Sequence, residues 1–355
     1  MTMVPVNTIN LSNTTYRNNP IIRNVNLDNV SWVDNSMSQA FYNSQNLQGV
    51  TNINPNVTNM SQCFAECTNL VNTPTIPAGV TNLYQGFMNC SSLVNSPALP
   101  TNVTEIGALF LGCSSLANAP TIPSSVTNAM LVFKNCTNLV NAPTISNGVE
   151  NLMETFAGCT SLSNVQTLPA SINNLTGTFA GCANLTAAPT IPSNVTSLLR
   201  TFESCSNLTA SPALSSSITG LPSTFKGCTN LSSVPNIPSS VTSMMSTFDG
   251  CTSLSGNINI ESESISNAVN CFANTTAEKE VYIPFYYTNG VLTATYNSFI
   301  AAGYSDTTRQ HGVLLHSTSG QYIDLSDYEY TTTATNDVTL TKYIGTSTDI
   351  VTPNV

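Results

Sequence analysis

The sequence predicts a solenoid, of α/β-type or mostly β character: about ten 23-residue coils with short parallel strands, followed by a small β-rich C-terminal module. Three observations carry this reading. Phenylalanine recurs at one constant spacing, Phe41, Phe64, Phe87 and so on to Phe248, ten times without an insertion. Leucine keeps the same register from Leu47 to Leu254, and cysteine from Cys67 to Cys251, with Ser44 in the slot one period earlier. A fixed period of about 20–50 residues is the mark of units that bury a core only by stacking. The third observation is composition: 7% of the 355 residues are charged, against about 25% in an ordinary soluble domain. Asn, Ser and Thr (45, 43 and 49 residues) take over the solvation of the surface. A hydrophobic fraction of 41% supplies a core, which sets the chain apart from disordered sequences.

Residues 1–32 lack the repeat and read as an extended arm with short strands. Two roles stay open for it: capping the first coil, whose apolar edge is otherwise exposed, or anchoring to a neighbouring subunit. Residues 33–275 hold the array. Within a coil, Val80, Leu83, Phe87 and Cys90 fall at i, i+3, i+7 and i+10, which predicts one apolar stripe on a short helical segment. The other half, Leu70 to Pro77, reads as an extended segment in a parallel ladder, although Pro74 and Pro77 each remove a donor. The alternative places the strand on the Phe-x-x-Cys half. The repeat spine is expected inside the coil, as in Phe64, Cys67 and Leu70, Phe87, Cys90 and Leu93, Phe156, Cys159 and Leu162, and Phe225, Cys228 and Leu231.

Residues 276–320 read as a C-terminal cap module. Glu280 to Tyr287 suits a strand, Asn289-Gly290 a tight turn, and Thr295 to Ala302 a short helix stopped at Gly303. Residues 321–355 read as a β-hairpin or lead-in tail, with strands at Tyr322–Tyr330 and Val338–Tyr343 about a turn at Asn336-Asp337. Nine of the twelve tyrosines lie at or beyond Tyr282. Tyr286, Tyr287, Tyr328 and Tyr330 are candidate contact residues, because tyrosine buries area while keeping a hydroxyl free; core packing is the competing role.

Eleven cysteines do not imply disulfides here. One per coil, all pointing the same way, gives parallel Cβ vectors that cannot reach the disulfide dihedral. A straight column also cannot converge on a metal. Buried thiols beside Phe are the expectation. Cys63 and Cys271, one place before a repeat Phe near opposite ends, are too far apart to pair. The Asn-x-Ser/Thr tripeptides at Asn102, Asn184, Asn194, Asn207 and Asn230 arise from the repeat itself and read as corner residues rather than glycan acceptors. His311 and His316 lack companions at ligand spacing. Asp324, Asp327 and Glu329 lack the glycine and spacing of a calcium loop. No catalytic motif is found, so no enzyme, cofactor or metal is expected. A net charge of −10 argues against nucleic acid and anionic membranes. No apolar run reaches the ~20 residues that span a bilayer.

The segments Phe156-Ala-Gly-Cys-Thr-Ser-Leu162 and Phe225-Lys-Gly-Cys-Thr-Asn-Leu231, followed by Pro-x-x-Pro or Ile-Pro, resemble the BspA-like subset of leucine-rich repeats from Val33 to Thr275. The resemblance implies a leucine-rich-repeat array that is surface-exposed and binds a ligand rather than catalysing a reaction. Relatives of that family are bacterial surface proteins and phage virion proteins. Residues 327–350 resemble the lead-in to a further array, so either a last array was lost or the sequence is a portion of something longer. Two functions are expected. The first is a bacteriophage virion fibre or decoration component at the virion surface, favoured by the absence of a visible signal peptide. The second is a secreted bacterial cell-surface adhesin. In both, the expected partner is a protein or glycan receptor on a cell, with neighbouring virion subunits reached through residues 1–32 and a homo-oligomer left open.

Overall fold

In the computed structural model, residues 9–12, 15–283, 287–288, 291–304, 313–317, 328–332 and 338–343 are described. The coil follows from local turn chemistry. The carbonyl of Pro77 accepts the Val80 N–H at 3.1 Å, and Pro100 and Pro123 do the same for Val103 and Val126. Two positions after this turn, several coils place an asparagine that accepts the N–H two positions on. Asn82 does so from Tyr84 at 2.9 Å and Asn128 from Met130 at 3.0 Å, a side-chain-made turn that asparagine favours. A further reversal follows at Cys90, whose carbonyl accepts the Leu93 N–H at 3.1 Å.

The helical expectation for Val80–Cys90 is overturned. Its apolar stripe is real, since Val80, Leu83, Phe87 and Cys90 are all fully buried. The backbone, however, is a run of turns. Gln85 and Asn89 have φ of 54° and 58°, and the equivalent positions in the other coils of the array are left-handed too. A single such residue breaks an α-helix. The N–H groups of Leu83, Gln85, Phe87 and Asn89 leave the coil and donate to the carbonyls of Glu105, Gly107, Leu109 and Leu111 in the next one. Those of Gly86, Met88 and Cys90 donate three positions back. About half the donors that a helix would use internally join coil to coil instead. The second left-handed position explains the repeat glycine: Gly112, Gly158, Gly181, Gly227 and Gly250 occupy it at φ near 75°, where glycine alone is free of Cβ strain.

Ladder pairing on the Leu-x-x-x-Pro half depends on proline. At the two ends of the array, Thr51 and Ile258 replace the proline four positions after the repeat leucine, and true strands form. There β4 (Gly49–Thr51) pairs with β2 (Asn24–Asn26), and β5 (Gly256–Asn259) with β6 (Lys279–Ile283). In mid-array the ladder shrinks to single parallel bridges such as Asn95↔Asn118 and Asn141↔Asn164. Gln166 in place of proline does not restore a strand, since Pro143 and Pro189 flank it in the adjoining coils. All strand pairs along the array are parallel.

Equivalent side chains form continuous internal spines. The rings from Phe41 to Phe248 stack at 5.2–5.8 Å and within 19° of parallel. Every repeat Phe, Cys and Leu is fully buried. All eleven cysteines are free and buried. Each repeat thiol donates to the carbonyl of the previous coil's Phe, as Cys90 does to Phe64 at 3.0 Å and Cys159 to Phe133 at 3.0 Å. That carbonyl also takes the N–H of its own coil's cysteine, so both its lone pairs are used. A threonine spine (Thr155, Thr178, Thr201, Thr224, Thr247) is buried beside it and bonds backward in the same way, at 2.8–3.0 Å.

Both ends of the stack are covered. Tyr16 lies on Phe41 at 5.0 Å, 4° from parallel. Its N–H donates to Ala40 and that of Asn18 to Tyr42, and Ser44 Oγ donates to its carbonyl at 2.6 Å. Residues 15–26 thus mimic a coil, but two extra positions separate Tyr16 from Phe41, which hides the match from a strict period. Two more N-terminal strands, β1 (Ile9–Leu11) and β3 (Val30–Trp32), pair in parallel. At the other end Phe272 stays in the stack, 5.4 Å from Phe248, although the chain inserts one extra position between them. Phe299 covers it at 6.3 Å, and Tyr304 meets it edge-on at 5.8 Å. Tyr304 Oη accepts the Phe272 N–H at 2.7 Å, the donor that elsewhere goes to the next coil.

Phe299 is carried by α1 (Ala294–Ala301), one residue earlier than the spacing predicts, capped by Thr293 and followed by Gly303 at φ 90°. Ahead of it β7 (Tyr287–Thr288) and β8 (Val291–Leu292) pair antiparallel. Past α1, β9 (Val313–Ser317) adds to β6 in parallel. Finally, β10 (Tyr328–Thr332) and β11 (Val338–Tyr343) form an antiparallel pair.

Candidate functional site

The stacked coils sort the surface chemistry by column. Every basic residue between 33 and 275 (Lys134, Arg200, Lys226) sits on the turn-ribbon half, next to a repeat Phe or two positions before it. Each is ion-paired there: Lys134 with Glu154, Arg200 with Glu203 at 2.5 Å, Lys226 with Asp249 at 3.2 Å. The seven residues after each repeat leucine, from Val71 to Pro238, contain no charged side chain. This second face carries carboxamides, hydroxyls and small apolar groups in register. Asn118 donates to Asn95 at 2.7 Å and Asn164 to Asn141 at 3.3 Å. At its edge, Asn230 and Asn207 extend a second ladder toward Asn184. Val71, Val94 and Val140 stand beside the ladder with nearly half their surface exposed.

On this face two coils part to form a groove of about 400 Å³, lined by residues that include Asn95, Pro97, Ala98, Leu99, Asn118 and Pro120. The Ile122 N–H donates to Thr144 in the next coil at 3.0 Å, and Ile122 bridges Ile145. Among the described residues the equivalent bond is not made from Leu99 to Thr121, nor from Ile76, Ile145, Leu168, Ile191 or Leu214. Ala98 also stands where Thr75, Thr121, Thr144, Thr167 and Thr190 place a larger side chain. The groove offers amide donors and acceptors over a small apolar floor, with no charge: it suits a neutral, hydroxyl- or amide-bearing ligand.

The thiols are not chemical groups of this surface. Burial pushes Cys113, Cys159 and Cys205 up to about 12, and the others upward too. A thiolate is the reactive form, so at neutral pH they are inert. Among the described residues no group of three or more His, Cys, Asp or Glu could hold a metal, and no helix is long and apolar enough to cross a membrane.

Of the candidate contact tyrosines, Tyr286 lies outside the described residues. Tyr287 falls in β7, and Tyr328 and Tyr330 in β10, opposite Tyr343 and Leu340 of β11; their side chains are not among those described. His311, Asp324 and Asp327 lie outside the described residues as well, and the side chains of His316 and Glu329 are not described. Sequon asparagines are used structurally: Asn194 Nδ2 donates to the Ala170 carbonyl at 2.9 Å, and Asn184, Asn207 and Asn230 form the ladder above. The groove was missed by motif reasoning. Its signal was the uncharged stretch after each leucine and the small Ala98, a replacement shared with Ala213.

A solenoid of short coils with parallel bridges and a repeat-leucine spine is a leucine-rich-repeat array. The chain belongs to the BspA type of leucine-rich repeat: that family's profile matches in six copies, over residues 9–140, 84–209, 129–244 and 200–300. Among solved structures, the chain is similar to a leucine-rich repeat protein from Bacteroides ovatus, with 18% identity over 88% of each chain and a TM-score of 0.60. It is also similar to a leucine rich cell surface protein from Faecalibacterium prausnitzii, with 24% identity over 71% of this chain and 83% of that one, TM-score 0.41. No curated protein matches.

Proposed function

We propose that the protein is a non-catalytic, surface-exposed binding protein of the adhesin type, whose recognition surface is the uncharged face after the repeat leucines. The observation that carries this is the segregation of charge: seven-residue segments without a charged side chain, stacked in register around the groove at Asn95 and Asn118. An uncharged face of amides, hydroxyls and exposed valines favours a glycan or a neutral stretch of a protein receptor over an ionic ligand. Membership of the BspA-type family supports placement on a bacterial cell surface. The virion reading draws no support from the relatives, which are bacterial leucine-rich repeat proteins, and the adhesin reading takes its place.

The test has two arms. Protease shaving of intact cells, followed by mass spectrometry, should release array peptides; recovery from purified virions alone would overturn the placement. Purified protein on a glycan array, and on host cells, should bind in a manner insensitive to salt between about 0.05 and about 0.5 M, since no charge is involved. Replacement of Ala98 by Trp, which fills the groove, should abolish that binding while the melting midpoint holds. Retained binding by the filled variant moves the site elsewhere.

A further inference from the structure

The turn-ribbon half holds an apolar patch that the uncharged face does not explain. Three places before the repeat Phe, successive coils carry Tyr84, Gly107, Met130 and Met153, stacked by bonds from Gln85, Ala108 and Leu131 to the carbonyls of Gly107, Met130 and Met153. The Tyr84 ring leans over Gly107, within 3.3 Å of where a Cβ would sit, and is 42% exposed. Met88 and Leu111 lie alongside, one place after their Phe, and both are part-exposed. Between the rows is Leu131, part-exposed and left-handed at φ 64°. Its column elsewhere holds Gln39, Glu154, Gly177, Arg200 or Ser223. The left-handed backbone is common to the whole column and belongs to the coil; what sets Leu131 apart is a bulky apolar side chain left part-exposed there, which enlarges an apolar surface patch. The patch begins after Ser61, Gln62 and Ala65 and is interrupted at Thr176, Gly177 and Ala180; beyond that the first row is apolar again at Leu199, Pro222 and Met245, where Arg200 and Lys226 balance the carboxylates.

Its surroundings are acidic. Glu66, Glu105, Glu150 and Glu154 lie on these coils and the one before them, with Lys134 as their one basic residue, already paired with Glu154. Glu105 is exposed two places before Gly107, and Glu150 three before Met153. We infer that coils 84–153 carry a second docking site, separate from the groove, for a basic amphipathic segment of a partner protein. Its apolar side chains would pack on the methionines and Leu131, and its Lys or Arg residues would face the glutamate rim. Methionine adapts its shape to a range of apolar partners, and the excess of carboxylates selects cations over anions.

The probe is a fluorescein-labelled 14-residue helical peptide of alternating Leu and Lys blocks, titrated with the full chain by fluorescence anisotropy. Two controls replace every Lys by Glu or every Leu by Ser. The Leu/Lys peptide should bind at micromolar concentration and both controls at least tenfold more weakly. Leu131→Ser, which puts the residue of positions 223 and 246 in that column, should weaken binding at least tenfold without lowering the melting midpoint. Glu105→Gln should weaken it about threefold and flatten its salt dependence, whereas Asn95→Ala in the groove should leave it unchanged. Equal binding of the Leu/Glu or Lys/Ser control, or indifference to Leu131→Ser in a folded variant, overturns the proposal. So does a self-associated chain in light scattering that Leu131→Ser renders monomeric, because the patch then belongs to a second copy.

Discussion

Replacing Phe156 by alanine tests the internal stack at its centre. The ring is fully buried and sits 5.6 Å from Phe133 and 5.8 Å from Phe179, within 7° of parallel to both. Truncation removes the transfer energy of the ring and leaves a gap two stacking distances wide, because neighbouring coils are held apart by their backbone bonds and cannot close it. Core Phe→Ala changes cost about 3–5 kcal/mol. Of this, the two stacking contacts account for roughly 1–3 kcal/mol, and Phe156→Leu, which keeps apolar volume but loses both contacts, should show about that smaller loss. In a solenoid each unit is stabilised by its neighbours. The alanine variant should therefore also raise amide exchange in the coils of Phe133 and Phe179 more than in those of Phe64 or Phe248. Denaturant titration by circular dichroism gives the totals, and hydrogen exchange with mass spectrometry gives the distribution. A loss for alanine well below the core range of about 3–5 kcal/mol, or a leucine variant as costly as alanine, would refute a spine of stacked rings.

Three further outcomes follow from the same spines. Cys205→Ser should cost under about 1 kcal/mol and Cys205→Ala about 1–3 kcal/mol in denaturant titration, because Ser44 already fills this slot and donates to Tyr16 at 2.6 Å. Stability should fall with alkali: the thiols titrate near 9 when unfolded, but Cys113, Cys159 and Cys205 are pushed up to about 12 in the fold. The folded state then holds protons the unfolded state has lost, so stability is full below pH 9. It is lost as pH rises from 9 toward 12, at about 1.4 kcal/mol per pH unit for each fully titrating thiol; melting midpoints across pH 8–11 read this, and multiple Cys→Ser replacement should flatten the slope. Tyr304→Phe should cost about 1–3 kcal/mol by orphaning the Phe272 N–H, with exchange at that amide rising before any other in the cap.

The period was legible because stacking equal coils forces equal side chains into equal environments: Phe, Cys and Leu, each recurring at one constant spacing, state the inward face and the parallel arrangement without coordinates. Short helix α1 and the strand about Val281 were legible too, the helix from its stop at Gly303 and the strand from the run between Glu280 and Tyr287; the Thr293 cap was read only from the structure. The conformation of the Val80–Cys90 half was not. Its apolar spacing of three and four is what a helix shows, and only the neighbouring coil, by taking the N–H groups of Leu83, Gln85, Phe87 and Asn89, decides between helix and turns. Tyr16 as a pseudo-repeat and Tyr304 as the terminal acceptor were likewise invisible, since each is defined by a partner far away in the chain and out of period. The groove beside Asn95 is lined by residues of two successive coils, from Asn95 to Leu99 and from Asn118 to Thr121, and only stacking brings them together. Sequence alone settled which side chains face inward, because that depends on period. Tertiary structure settled where the backbone donors go, because that depends on hydrogen bonds between segments that chain order leaves a full coil apart.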